Sequence, residues 1–129
     1  MLDANIVSDL VRDPRGRVAG HVARVGERHV CTSIVVAAEM RYGAAKRGSR
    51  RLAAGLEAVL GLLDVLPLKP PADVVYGGLR ADLERRGQPI GSNDLFIAAH
   101  ALTLGCTLVT DNEREFSRVD GLRCENWLR

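Results

Sequence analysis

The chain has 129 residues, 47% of them hydrophobic but only 4% aromatic, and its 18 Lys and Arg against 16 Asp and Glu leave a formal charge of +2. That length fits one domain, residues 1–129, around a single core, and apolar residues drawn mainly from Leu, Val and Ala suit helices packed on a sheet better than an all-β sandwich. No apolar run approaches membrane-spanning length, no basic-then-apolar segment opens the chain, and the charge balance carries no bulk signature of a nucleic-acid binder, so a cytoplasmic protein with no membrane partner is expected.

Taken in order, Leu2 opens a very short strand, and Asn5 to Val11 form a helical segment carrying Ile6, Leu10 and Val11. Asp13-Pro14 reads as a cap followed by Pro at the first helical position, predicting a helix from Pro14 to about Val25 that Gly26 closes. His29 to Cys31 is a second strand. Ser33 caps a helix to about Ala45, and Gly48-Ser49 separates it from another reaching Leu60. Leu63 to Leu68 is a third strand, ended by Pro67 and Pro70-Pro71, and a helix follows to Arg86. After the Gly87 to Gly91 break, Ser92 or Asn93 caps an apolar helix to about Leu104, which Gly105 terminates. Cys106 to Thr110 is a buried strand, Glu113 to Phe116 allows one helical turn, and Val119 to Trp127 supplies a last strand after the Asp120-Gly121 turn. Strands alternating with helices predict an α/β fold with a mostly parallel sheet of four to five strands, covered by helices on both faces.

Cys31, Cys106 and Cys124 are odd in number, widely spaced and without a Cys-x-x-Cys pair, and His21, His29 and His100 add no ligand spacing. Neither a disulfide framework nor a structural zinc site follows.

Four acids are more informative. Asp3 and Asp111 fall at the carboxyl ends of strands, where open α/β sheets bind ligands. Asp94 falls in the first turn of its helix, and Glu39 shares a helix face with Val35, Ala38 and Tyr42, which aims it at the packed side. Each has a plain structural alternative: Asp3 and Asp94 as helix-start acids, Asp111-Asn112 as a turn pair, and Glu39 as the partner of Arg41 or another cation. Together they gain another meaning, because like charges in one cleft repel unless a cation offsets them. Hard divalent ions such as Mg²⁺, with Mn²⁺ as a substitute, take carboxylate oxygen plus substrate phosphate, and phosphodiester hydrolysis is the implied chemistry.

Basic residues cluster at Lys46, Arg47, Arg50 and Arg51, at Arg85-Arg86, and at Arg114 and Arg118. Solvated helix ends explain them, with phosphate binding as the alternative for those rimming the acids. His100 lies six residues from Asp94, on another side of the helix, and reads as a packing or interface histidine. Phe116 and Trp127 read as core.

These segments, in order, carry a resemblance. Leu2-Asp3-Ala4-Asn5-Ile6, Thr32-Ser33 with Ala38 to Ala44, Gly91 to Ala101, Leu108 to Asn112, Glu115-Phe116 and the closing Val119 to Trp127 stretch resemble the PIN-domain ribonucleases, most closely the VapC toxins of toxin-antitoxin pairs. The resemblance spans nearly the whole chain and implies the three-layer PIN fold. It also implies a Mg²⁺- or Mn²⁺-dependent endoribonuclease leaving a 5′-phosphate and a 3′-hydroxyl, with Asp3, Glu39 and Asp94 as the main catalytic and metal-holding acids and Asp111 as the less constant fourth. Asn5, Thr110 and Asn112 are implied to orient or hydrogen-bond. Ala4 departs from the family's more frequent Thr and removes a hydroxyl beside Asp3. Implied partners are RNA, a cognate VapB-type antitoxin and a second copy of the chain in a homodimer. The alternative from another class is a non-catalytic acidic module that binds a cation or a basic partner peptide.

Overall fold

One residue joins the two halves of the sheet. In the computed structural model, which describes residues 1–129, Leu2 bridges in parallel to Thr32 on one side and to Val109 on the other. Strand β1 (Cys31–Ser33) pairs in parallel with β2 (Asp64–Leu66), in the register Cys31 to Asp64, Thr32 to Val65 and Ser33 to Leu66. Strand β3 (Leu108–Val109) pairs in parallel with β4 (Cys124–Glu125). The order across the sheet is therefore β2, β1, Leu2, β3, β4, with all carboxyl ends on one edge. Leu2 N–H donates to the Cys31 carbonyl at 2.8 Å, Asp3 N–H donates to the Val109 carbonyl at 2.9 Å, and the Thr32 hydroxyl donates to the Leu2 carbonyl at 2.7 Å. Those bonds place whatever follows Leu2 at the centre of the carboxyl edge.

Seven helices surround the sheet: α1 (Ala4–Arg12), α2 (Arg17–Val25), α3 (Ile34–Arg47), α4 (Arg50–Leu62), α5 (Ala72–Arg85), α6 (Ser92–Leu104) and the single turn α7 (Glu113–Phe116). Helix α1 packs on α2, α3 and α4, while α5 packs on α6, which also meets α3. A cluster of 23 buried apolar residues binds the layers, with Leu2, Ile6, Val36, Ile97, Leu108 and Phe116 all fully enclosed. Each such Leu, Ile or Phe contributes roughly 1.5–3 kcal/mol relative to exposure. Trp127 is buried as well, so both aromatics assigned to the core belong to it. None of the helices is long and apolar enough to cross a membrane.

Several elements start later than expected. Helix α2 begins at Arg17, not Pro14, and Gly16 precedes it without a side-chain cap. Asp13 instead closes α1, its N–H donating to the Asp9 carbonyl at 2.8 Å, and its carboxylate lies where a Gly16 Cβ would stand, 2.5 Å away. The Asp-Pro pair is thus spent on ending one helix. Residues 27–29 form a 3-10 turn, so β1 starts at Cys31 rather than His29. Ser33 both ends β1 and caps α3, accepting the Val35 N–H at 3.1 Å. The expected Ser92 or Asn93 cap is absent: Gly91 holds the cap position and no side chain of its own segment caps α6.

Helix α3 also buries a different face. Val36, Ala37 and Ala44 are buried, whereas Ala38 and Tyr42 are exposed, Tyr42 by 66%. Three- and four-residue spacing around Glu39 fits either edge of the helix, and packing against α1, α4 and α6 selects the Val36 side. Glu39 stands at the border of that face, half-buried.

Candidate active site

Asp3 follows Leu2 at the middle of the carboxyl edge and is 5% exposed. It is the N-cap of α1: Oδ1 accepts the Ala4 N–H at 2.8 Å, and Oδ2 accepts the Thr110 hydroxyl at 2.7 Å. The hydroxyl that reaches Asp3 comes from the residue after β3. Burial raises the Asp3 pKa, the Thr110 and Ala4 hydrogen bonds pull it down, the charge of Glu115 raises it again, and the net direction is upward. Thr110 Oγ1 also accepts the Asn112 N–H at 3.0 Å, which ties the Asp3 carboxylate to the turn beyond β3.

Glu39 reaches the same region from α3. Its pKa is raised by burial first and then by the charge of Asp3, with the Asn93 amide partly opposing them. Its Oε1 is buried without a hydrogen-bond partner, an arrangement that costs free energy unless a cation or a bound ligand completes it. Arg41, the cation adjacent in sequence, pairs with Glu57 instead.

Asp94 enters from the first turn of α6. Burial, the charges of Glu115 and Asp3, a hydrogen bond shared with Glu115 and the charge of Glu39 push its pKa up to about 7. The helix macrodipole at this position favours the anion by roughly 0.5 kcal/mol, too little to oppose three neighbouring carboxylates.

Glu115, on α7, is the member that sequence reasoning left unassigned. Its Oε1 accepts the Gly91 N–H at 2.6 Å, and its Oε2 accepts from Asn112 Nδ2 at 2.8 Å. The same Asn112 nitrogen reaches Asp94 Oδ2 at 3.4 Å. Burial alone would raise Glu115, but the hydrogen bonds from Gly91, Asn112 and Asp94, together with the Arg118 charge, bring it below the ordinary carboxylate range. With Gly91 at the cap, Asp94 is the third helical residue, where a capping-box acid would turn back onto the cap N–H. Glu115 takes that N–H from outside the helix and leaves the Asp94 carboxylate facing the cleft. Ser92 and Asn93 read as caps in the sequence, and only the structure shows that Gly91 holds the cap position and takes a distant acceptor.

Asp111 is placed differently. It is exposed, its Oδ1 accepts from Asn126 Nδ2 at 2.9 Å, and its N–H donates to Asn5 Oδ1 at 3.3 Å. The fourth charge acting on Asp3 and Asp94 is that of Glu115. Asn5, Thr110 and Asn112 all hydrogen-bond groups of this edge. His100 is buried behind it, Nδ1 lying 2.8 Å from Ser33 Oγ at the β1–α3 junction, away from the acids. Burial lowers its pKa, as suits a neutral packing residue.

No three His, Cys, Asp or Glu side chains stand close enough together to hold one ion among them. The donors at hand are carboxylate oxygens, one of them orphaned and buried, with neither His nor Cys beside them. Such a set fits a hard ion that keeps much of its water shell and takes one or two carboxylates, and it does not fit zinc.

The match to known proteins runs the length of the chain. The PIN domain family model covers residues 1–122. A ribonuclease VapC2 from Haemophilus influenzae is 39% identical over 99% of this chain and 97% of its own length. A tRNA(fMet)-specific endonuclease VapC from Shigella flexneri is 38% identical over 98% and 96%. Among solved structures, VapBC2 from Rickettsia felis bound to a DNA fragment from its promoter superposes with a TM-score of 0.91 at 33% identity, covering 98% of this chain and 97% of that one.

Proposed function

Because the chain belongs to the PIN-domain family and, within it, to the VapC ribonucleases, we propose that it is an endoribonuclease hydrolysing RNA phosphodiester bonds, the toxin of a toxin-antitoxin pair in the cytoplasm. One observation carries the reading beyond family membership: at the carboxyl edge of the sheet burial raises the pKa of Asp3, Glu39 and Asp94, 91 positions apart at their extremes, the charge of Asp3 raises Glu39, and the charges of Asp3 and Glu39 add to the rise at Asp94, with no cation paired to any of them.

In this reading Asp3 and Asp94 would hold Mg²⁺, or Mn²⁺ in its place, and the unpartnered Oε1 of Glu39 would accept from water of the ion's shell. A bound divalent ion supplies Lewis acidity and positive charge where negative charge develops during in-line attack of water on phosphorus. The chain itself supplies position. Thr110 fixes the Asp3 carboxylate plane, Asn112 and Glu115 fix the start of α6, and the buried edge limits the ways a phosphate can enter. Asp111 stands at the rim, where it holds Asn126 and adds negative charge. The products carry a 5′-phosphate and a 3′-hydroxyl.

Transfer RNA is the first substrate to test, since the Shigella relative is named for a tRNA. A VapB-type antitoxin is the expected partner, inhibiting by placing a basic side chain among the acids, and the toxin is expected to form a homodimer. The deciding experiment is cleavage of total RNA with Mg²⁺, with EDTA and with Asp94→Asn. Cleavage only in the first case supports the reading, and full activity in well-folded Asp94→Asn removes it.

A further inference from the structure

Gly43 lies in the interior of α3, where glycine weakens a helix relative to alanine. Packing does not require it, for a Cβ built there meets nothing within 4 Å. What the absent side chain leaves is a smooth strip, because Glu39, Gly43 and Arg47 recur at four-residue intervals on one face of α3. The strip borders a hollow of about 260 Å³ between α1, α3 and α4, walled also by Ser8, Arg12, Met40 and Leu52. Glu39 belongs both to this hollow and to the acidic cleft.

Arg12 and Arg47 are the only cations lining it. Each sits in the last turn of its helix, where the macrodipole favours a cation. That accounts for a basic residue at each place but not for both facing one hollow. Lys46, equally well placed for the dipole, lies instead over the Tyr42 ring, 5.9 Å from its centroid. Arg47 enters no ion pair, and Arg12 reaches only Asp9, at 3.9 Å. From Glu39 to Arg47 the helix advances roughly 12 Å at about 1.5 Å per residue. A cleft of carboxylates repels a polyanion, so cations outside it must hold the strand while the bond is cut.

The geometry points to this hollow as the seat of single-stranded RNA on one side of the cleaved bond. Arg12 and Arg47 hold its phosphates, Gly43 lets the backbone lie against α3, and Met40 and Leu52 receive a base. This rests on the ribonuclease reading and adds the direction in which the strand leaves the cleft.

The test is fluorescence anisotropy with a labelled single-stranded RNA pool, on the full chain carrying Asp94→Asn so that RNA is not consumed. Adding Arg12→Gln and Arg47→Gln together is expected to weaken binding about tenfold and to flatten the slope of log K against log salt by about 1.4, the value for two phosphates of a single strand. Gly43→Leu is expected to weaken binding with Tm unchanged or raised, since leucine is the better helix former. Arg28→Gln, in the turn before β1 at the opposite end of the sheet, removes one charge away from the hollow and, as the control, changes neither quantity. Equal affinity and slope for the double variant and the control would overturn the proposal. So would no RNA binding by any form, or RNA affinity that holds while binding of a co-purified inhibitor protein is lost, which gives the hollow to a protein partner. Cleavage by the unsubstituted protein is scored separately: its absence removes the ribonuclease reading, whereas cleavage with unchanged RNA affinity in the double variant removes the groove alone.

Discussion

Helix α5 and the carboxyl edge of the sheet both concentrate charge, and they treat it in opposite ways. On α5 every acid of the last two turns has a guanidinium within reach: Glu84 with Arg80 at 3.0 Å, and Asp82 with Arg86 at 3.0 Å and Arg85 at 3.7 Å. All are exposed to a degree that leaves such pairs worth about 0–1 kcal/mol. At the sheet edge Asp3, Glu39 and Asp94 enter no ion pair, are raised by burial and by a neighbouring carboxylate, and leave one oxygen without a hydrogen bond. A chain with 18 Lys and Arg has cations to spare, and none pairs with these three. Unpaired charge is held at the sheet edge at the expense of stability, and paired charge lies on the solvated helix.

The contrast can be broken most severely at Asp94. Asp94→Asn should lower cleavage by at least about 10²–10³, the scale of removing a group that stabilises transition-state charge. It should also raise the Tm of the metal-free protein at pH 8, because a repelling charge disappears. Asp82→Asn on α5 should leave cleavage unchanged and stability within about 0.5 kcal/mol. A Tm that falls in Asp94→Asn would show that the charge is compensated.

Next in size is the pH dependence of the metal-free protein. Asp3, Glu39 and Asp94 are all raised, so between the ordinary carboxylate values and their folded values the native state binds more protons than the unfolded one. Their contribution to stability is present in acid and is lost as pH rises, the last of it near pH 7 for Asp94. Chemical denaturation in EDTA should therefore show stability falling from pH 5 to pH 8 by roughly 1–2 kcal/mol after allowance for solvent screening. Mg²⁺ should restore most of it at pH 8 and little at pH 5. His100, whose pKa is lowered, adds an opposite slope in the same range, so the fall is read as the difference from Asp94→Asn, and profiles of equal slope would contradict the repulsion.

Smaller effects fall on the residues that aim the acids. Thr110→Val leaves the buried Asp3 Oδ2 without its donor and should cost about 1–3 kcal/mol, read as a lower denaturation midpoint, together with reduced cleavage. Glu115→Ala frees the exposed Gly91 N–H to water, which should cost about 0.5–1.5 kcal/mol before the relief of its charge on Asp3 and Asp94, whereas Glu115→Gln keeps an acceptor for Gly91 and should be the more stable of the two. Least affected should be Asp111→Asn, exposed and bonded to Asn126, with cleavage changed less than about threefold and stability within about 0.5 kcal/mol. A loss as deep as that of Asp94→Asn would move Asp111 back into the centre of the site.

The legible part of this molecule was what one segment decides alone. Asp3 at a strand end, Asp94 in a helix start, the left-handed glycines Gly48 and Gly105 that close α3 and α6, and the alternation of strands with helices all follow from neighbours in sequence. What could not be read depends on a second segment. Which edge of α3 is buried depends on α1, α4 and α6; Pro14 fails to start α2 because Asp13 is engaged with α1 and Gly16; and the directions of the Asp111 and Glu115 carboxylates after β3 are fixed by Gly91, Asn112 and Asn126. The resemblance named the residues near the site, and only the folded chain distinguishes those that point inward from the one that points out.

The bond between Glu115 and Gly91 spans 24 residues of chain. It makes the aim of Asp94 a property of two segments, so the acid-bearing helix is not a portable part. Grafting Gly91 to Leu104 into another scaffold would carry the aspartate without the strut that turns it, and its carboxylate would be free to fold back on its own helix start. Insertions between β3 and α7 should act on the chemistry as strongly as changes beside Asp94 itself, while the same insertions between β2 and α5 should not. For anyone recombining such domains, the smallest exchangeable unit runs from Gly91 through Phe116.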